Sequence, residues 1–100
     1  MTIKFEIAAE NGSLRYVSLF IDGNKIGRDM NAISDQLSSV AGYLYKYHGD
    51  KRLSITVNSN GSTLFMVGNN DITEDATTYE TIKPVIEEIA KYLTETFIQE

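Results

Sequence analysis

The chain has 100 residues and a net charge of −5, with 42% apolar and 23% charged side chains, values typical of one folded domain spanning residues 1–100 rather than of a disordered chain. It contains no cysteine, which excludes disulfides, thiol catalysis and cysteine-based zinc sites. No apolar run in the sequence reaches the roughly 20 residues of a membrane span, and we expect a cytoplasmic protein.

The first segment predicts a β-hairpin. Thr2–Ala8 alternates apolar and polar residues, as a half-buried strand does, and Asn11-Gly12 precedes a return strand, Leu14–Ile21. Because a slip of one residue would turn a whole face over, the apolar pattern should decide the register. That pattern favours a three-residue loop that ends at Gly12 and pairs Phe5 with Val17.

A short turn and a helix are predicted next. Asp22-Gly23-Asn24 forms the turn, and Lys25–Arg28 is a candidate for an extra edge strand. Asp29 or Asn31 can then cap a helix, and Gly49 suits its C-terminal end. The helix is indicated by apolar residues in steps of three and four: Met30, Ile33, Leu37, Val40, Leu44 and Tyr47.

The second half repeats this order. Leu53–Val57 alternates again, and Asn60-Gly61 predicts a two-residue turn that pairs Ile55 with Met66. The last helix should run from about Pro84 to Ile98, with the proline at its beginning or at a kink. Its apolar stripe consists of Tyr79, Ile82, Ile86, Ile89, Leu93 and Phe97.

These elements predict an α+β fold in the order ββαββα, a two-layer sandwich of a four-stranded antiparallel sheet with two helices on one face. Asn11-Gly12-Ser13 recurs as Asn60-Gly61-Ser62, which raises the hypothesis of two tandem repeats, 1–49 and 50–100; convergence of two unrelated ββα units is the alternative. The predicted core comprises Ile3, Phe5, Ile7, Leu19, Ile33, Leu37, Val40, Leu44, Ile55, Ile86, Ile89 and Leu93.

Residues that could perform catalysis are few. His48 is the only histidine, and it lies at the predicted end of the first helix, where a protonated imidazole would complement the helix dipole. The sequence has no Gly-x-Ser-x-Gly elbow and no glycine-rich phosphate loop. Asn69–Asp71, Glu74 and Asp75 offer oxygen ligands but lack the spacing of an EF-hand. We therefore expect no enzyme activity, no cofactor and no metal.

The charge is uneven along the chain. Residues 71–100 carry eight acidic and two basic residues, a net −6, whereas residues 1–70 carry six acidic and seven basic residues, a net +1. Glu87, Glu88 and Glu95 of the last helix could therefore meet a basic partner, although an acidic helix also serves solubility. Direct binding of nucleic acid is disfavoured, because Lys51-Arg52 is the only tight basic pair.

Aromatic residues indicate a second candidate surface. Tyr16 and Phe20 lie on the sheet face that the two helices would leave uncovered, and the predicted pairing places Phe65 and Val67 there as well. Tyrosine and phenylalanine are enriched in the cores of protein interfaces. A partner or dimer surface, cross-strand pairing within the sheet and burial by a rearranged topology are the open interpretations.

In length, acidity and the absence of cysteine and catalytic motifs, the chain resembles small inhibitors: bacterial toxin-immunity proteins and the phage proteins that block host defence, such as anti-CRISPR proteins. No family motif is matched, so no functional residue is carried over. The resemblance implies a protein partner (a toxin, a nuclease or a defence complex) and no membrane or nucleic acid. We expect Tyr16 and Phe20 to anchor it, and Glu87, Glu88 and Glu95 to steer it. The two groups need not lie on one face, because helices on the inner side of the sheet can point their acids away from the aromatics; in that case we expect the acidic helix to be the interface. The alternative is a structural homodimer that joins the open sheet faces.

Overall fold

The computed structural model describes residues 1–27, 30–73 and 80–98. It confirms an α+β protein with two helices and an antiparallel sheet, whose strand order is β3-β2-β1-β4-β5-β6. In chain order the elements are β1 (Thr2–Glu10), β2 (Ser13–Ile21), β3 (Asn24–Ile26), a 3₁₀ turn (Asn31–Ile33), α1 (Ser34–His48), β4 (Leu53–Asn58), β5 (Thr63–Val67), β6 (Asn70–Asp71) and α2 (Lys83–Phe97).

The sheet has six strands rather than the predicted four, so the order ββαββα is wrong and becomes βββαβββα. The additional strands, β3 and β6, are three and two residues long, too short to show an alternating pattern. β3 is an edge strand that begins one residue before the candidate Lys25–Arg28 and ends at Ile26, whereas β6 was not predicted. β3 follows a tight turn in which Asp22 and Gly23 have φ angles of 50° and 85°. Each half of the chain thus contributes three strands and one helix, and the tandem repeat stays a prediction.

The first hairpin does not have the predicted three-residue loop. Asn11-Gly12 forms a two-residue turn with φ angles of 53° and 82°, as a type I′ turn requires. Phe5 pairs with Leu19 rather than with Val17, which is a register two residues away from the predicted one. Since a shift of two residues preserves the face, Phe5 and Leu19 are buried all the same.

A β-bulge reconciles this turn with the apolar pattern. The pairing jumps from Ala9–Leu14 to Ala8–Tyr16, so that Arg15 is an additional residue on β2. Without the bulge, the two-residue turn would place Tyr16 and Phe20 on the inner face of the sheet. The inserted residue therefore decides which side chains of β2 remain outside.

The second hairpin also differs from its prediction. Asn58 bonds to Ser62, with an N–O distance of 3.0 Å, so the loop has three residues and ends at Gly61 in the left-handed region (φ 91°). Ile55 consequently pairs with Phe65 instead of Met66. Phe65 and Val67 are buried, which corrects their predicted exposure on the outer face.

The core confirms the predicted helix faces. All twelve residues expected to be buried are buried, and side chains from both helices and the inner face of the sheet belong to one cluster. Gly49, with φ 61°, ends α1, and Pro84 lies in the first turn of α2, at the beginning of the helix as one of the two predicted placements requires. Arg28, Asp29, Glu74, Asp75 and Tyr79 lie outside the described residues.

Asp50 ties the tip of the first hairpin to the end of α1. Its Oδ2 accepts a hydrogen bond of 2.7 Å from the backbone N–H of Asn11, and its Oδ1 accepts one of 3.4 Å from Gly12. A Cβ atom at Gly12 would lie 3.3 Å from the ring of Tyr45. The turn is thus held by a carboxylate on one side and packed against a tyrosine on the other.

We expect Leu37→Ala and Ile89→Ala each to lower the free energy of unfolding by about 2–4 kcal/mol, because each leaves a cavity in the core. Leu14→Ala is the matched control, since Leu14 is 40% exposed and should cost less than about 1 kcal/mol. Urea unfolding followed by circular dichroism measures the differences. Equal losses at all three positions would contradict the assignment of the buried faces.

We expect Asp50→Asn to lower the free energy of unfolding by about 1 kcal/mol, because its neutral amide oxygen accepts the hydrogen bond from Asn11 more weakly and its NH2 group cannot accept the one from Gly12. Asp50→Ala should cost about 1 kcal/mol more, since Asp50 has a φ of 63° that asparagine tolerates and alanine does not. Thermal or urea unfolding ranks the three proteins. If Asp50→Asn had the same free energy of unfolding as the wild-type protein, the carboxylate would not be what holds the hairpin.

Candidate protein-interaction surfaces

The structure places the five predicted interface residues on two different layers. Tyr16 and Phe20 lie on the side of the sheet away from the helices, whereas Glu87, Glu88 and Glu95 are exposed on α2. They therefore cannot form one compact interface. We call the side away from the helices the outer sheet face; its described side chains are Thr2, Lys4, Glu6, Ala8, Tyr16, Ser18, Phe20, Lys25, Arg52, Ser54, Thr56, Asn58, Leu64, Met66 and Asp71.

Phe20 occupies the centre of one half of the outer sheet face. It is half-buried and pairs with Lys25 on β3 and with Lys4 on β1. Two open depressions adjoin its ring; Lys4 lines one, Lys25 and Arg52 line the other, and Glu6 lines both. The aromatic ring is thus flanked by a lysine on each neighbouring strand.

A hydrogen-bonded network orders the polar part of this face. Arg52 donates from Nη1 to Oε2 of Glu6 at 2.9 Å and from Nη2 to the hydroxyl oxygen of Tyr16 at 2.5 Å. Nζ of Lys4 lies 3.5 Å from Oε1 of Glu6, whose side chain is only 14% exposed. One carboxylate therefore holds two cations, and the arginine fixes the tyrosine.

The part of the outer sheet face around Phe20 has an excess of positive charge although the protein is acidic. Lys4, Lys25 and Arg52 stand there against the carboxylate of Glu6 and that of Asp22, which accepts a hydrogen bond from the N–H of Thr2 at the margin. Asp71 lies on β6, at the opposite edge of the sheet. These cations cannot be recognised as a group from the sequence, because they come from three separate strand regions whose alignment depends on the register. The only local signal was the pair Lys51-Arg52.

Two acidic residues on the exposed side of α2, Glu88 and Glu95, form what we call the acidic stripe of α2. Glu88 and Glu95 are seven residues apart on the side opposite the buried Ile89 and Leu93. Oε2 of Glu88 accepts a 3.2 Å hydrogen bond from Nε2 of Gln36 on α1. Oε1 of Glu95 lies 3.9 Å from Nζ of Lys91 and is exposed to solvent, so this ion pair is weak.

Glu87 points to a different side of α2 from Glu88, as their adjacency on a helix requires. It lines a depression between α2 and β5 together with Thr73 and Lys83. Of the three predicted acids, Glu88 and Glu95 can therefore contact one partner surface together, and Glu87 lies at its margin.

A third exposed group lies at the C-terminal end of α1. The ring of Tyr43 lies 4.9 Å from that of Tyr47 and 5.3 Å from that of His48, measured between ring centroids, and both pairs are tilted. Tyr47 is 59% exposed, so the apolar stripe of α1 is buried only as far as Leu44. Burial, and secondarily the charge of Lys51, lower the pKa of His48, so a neutral imidazole rather than the expected cation is favoured at the helix end.

In the oxygen-rich segment after β5, the carboxylate of Asp71 accepts a hydrogen bond from a residue two positions further along the chain. Oδ1 of Asp71 accepts a 2.9 Å hydrogen bond from the backbone N–H of Thr73. Hydrogen bonds from the side chain and backbone of Thr73 lower the pKa of Asp71. Within residues 1–27, 30–73 and 80–98, no group of three or more histidine or acidic side chains could hold a metal ion.

Comparison of the chain with models of protein families, with curated proteins and with solved structures finds no match. In the part of the chain that the structure describes, neither helix is long and apolar enough to cross a membrane. The surfaces described above, the outer sheet face and the acidic stripe of α2, therefore carry the functional inference.

We expect His48→Gln to flatten the dependence of stability on pH. The pKa of His48 is lower in the folded protein than the ordinary 6.5, so the unfolded chain binds the proton first as pH falls. Wild-type stability should therefore decrease below about pH 6.5, until the pH passes the folded pKa. Urea unfolding between about pH 7.5 and pH 5 measures this loss. An equal loss in the variant would exclude His48 as its cause.

Proposed function

We propose that this chain is a non-enzymatic, cytoplasmic inhibitor that binds a protein partner through the acidic stripe of α2 and blocks a basic surface of that partner. A toxin, a nuclease or a defence complex is the class of partner that fits, because such proteins present basic surfaces to their anionic substrates. The observation that carries the proposal is the position of Glu88 and Glu95 on the exposed side of a helix whose opposite side is anchored in the core.

The geometry of the stripe supports a preorganised binding surface. Glu88 and Glu95 are two helical turns apart, so their Cα atoms are about 10 Å from each other at a rise of 1.5 Å per residue. Ile89 and Leu93, which are fully buried, fix the rotation of the helix. Rigid, exposed charges of one sign accelerate association with an oppositely charged surface and set the register of docking.

Lys91 reduces the negative charge of the acidic stripe without cancelling it. It stands between the two acids along the helix and contacts Glu95 at the long distance of 3.9 Å. Of the charged residues on α2 and in the segment just before it, Glu80, Glu87, Glu88 and Glu95 are acidic, and Lys83 and Lys91 are basic. A basic partner can thus form ion pairs with carboxylates that have only weak partners within this chain.

The alternative function is a homodimeric assembly module that uses the outer sheet face. The exposed Tyr16 and Leu64, each 38% accessible, favour an interface of some kind there. A two-fold axis would, however, bring the face of one copy against the same face of the other. Lys4, Lys25 and Arg52 would then oppose the same cations, so charge disfavours this dimer relative to the inhibitor.

We expect Glu88→Lys and Glu95→Lys each to slow association with the partner by about tenfold and to weaken its dependence on salt. Glu10→Lys is the matched control, because it makes the same charge change at an exposed position of β1 (side chain 65% accessible). The partner is captured from host-cell extract with the tagged protein, purified, and measured by surface plasmon resonance at low and high salt.

Hydrogen–deuterium exchange of the complex locates the contact independently. The proposal requires protection along α2. Protection of β1 and β2 alone would contradict it. Equal slowing of association by Glu88→Lys, Glu95→Lys and Glu10→Lys would also contradict it. A dimeric mass of the isolated protein in sedimentation would favour the assembly module.

A further inference from the structure

We propose that the outer sheet face is a second binding surface, of opposite charge to α2, that takes an extended acidic polypeptide segment laid across β3, β2 and β1. The segment would place two carboxylates on Lys4 and Lys25 and an apolar side chain on Phe20. This proposal does not depend on the function proposed for α2, because the two surfaces lie on different layers of the molecule.

The first argument is the arrangement around Phe20. Lys25, Phe20 and Lys4 are cross-strand neighbours in one row, so the two lysines are attached two strand spacings apart, roughly 10 Å. Depressions lie on both sides of the ring. A half-buried aromatic between two exposed cations offers apolar contact and charge within one short row.

The second argument is that Arg52 is already oriented. Its bonds to Glu6 and Tyr16 use two of the five N–H donors of a guanidinium group. The side chain is nevertheless 53% exposed, so its other donors face solvent beside the depression that Lys25 also lines. A carboxylate can bind there at little cost in side-chain entropy, because the network has already ordered the arginine.

The third argument is a match of spacing. In a polyproline II segment, residues i and i+3 project to the same side, about 9.3 Å apart. This distance is close to the separation of Lys4 and Lys25 across the sheet. The residues between the two acids project to the sides of the segment, where an apolar side chain can contact the edge of the Phe20 ring beside a depression. The favoured ligand is thus an extended segment with acidic residues three positions apart and an apolar residue between them.

Charge and topology favour this ligand over the other occupants. Glu6 lines both depressions, so a continuous polyphosphate chain, in which every unit is anionic, would bring negative charge against this carboxylate. A peptide can instead turn a backbone N–H towards Glu6. Addition of a strand at the sheet edges is disfavoured, because β3 and β6 have only three and two residues.

The test uses ¹⁵N-labelled protein and a synthetic twelve-residue peptide with glutamates three residues apart, prolines, and one phenylalanine between each pair. A second peptide with glutamine in place of glutamate and a single-stranded oligothymidylate of equal charge are titrated in parallel. We expect the acidic peptide alone to shift the amide resonances of Lys4, Phe20 and Lys25, and high salt to abolish these shifts.

Charge reversal at matched positions locates the site. Lys25→Glu should weaken binding of the acidic peptide by about tenfold, whereas Lys46→Glu, which makes the same change on the other layer, should alter it less than about twofold. Lys4→Gln replaces Lys25→Glu if the latter fails to fold, as judged from the dispersion of its amide spectrum. Phe20→Ala should also weaken binding, by about fivefold, through lost apolar contact.

Each other outcome overturns the proposal. Equal binding of the glutamine peptide would exclude charge recognition, and shifts confined to α2 would exclude this face. Binding of the oligothymidylate in place of the peptide would identify a nucleic-acid surface. Concentration-dependent self-association in sedimentation, reversed by Lys25→Glu, would identify a second copy of the chain as the occupant. If no probe shifted the amide resonances of this face, the face would not have the proposed function.

Discussion

The burial of alternate residues along β1 is the constraint on which the rest of the structure depends. Phe5, at its centre, is fully buried and pairs with Leu19 on one side and Ile55 on the other. Because both neighbouring strands must present their apolar residues to the same core, each hairpin has to adopt a loop that leaves those residues on the inner face of the sheet. The bulge at Arg15 and the left-handed Gly61 are the two local solutions to this requirement.

The same constraint determines the character of the outer sheet face. Once the inner positions are apolar, the remaining positions of β1, β2 and β3 bring Lys4, Phe20 and Lys25 into one row. Arg52, just before β4, then reaches Glu6 and Tyr16. Acidic residues meanwhile lie on the exposed side of α2, so the row around Phe20 and the exposed side of α2 present opposite charges on different layers of the protein.

Part of this arrangement could be predicted because it depends on local periodicity. The two apolar stripes, one containing Leu37 and the other Ile89, predicted both helices and their buried faces, and Gly49 predicted the end of α1. Tyr16 and Phe20 were assigned to the correct face despite a wrong register, since the error was two residues and side chains alternate with a period of two. Phe65 was assigned to the wrong face, because there the error was one residue.

By itself the sequence determined the α+β class, the core and the positions of the turns, because apolar spacing and Asn-Gly dipeptides act within a few residues. Only the tertiary structure decided the loop lengths, the bounds of β3, the existence of β6, and the separation of Tyr16 and Phe20 from Glu88 and Glu95. An Asn-Gly pair suits a two-residue or a three-residue loop equally. The choice between them depends on which residues across the sheet must be buried together, and that information is spread over the whole chain.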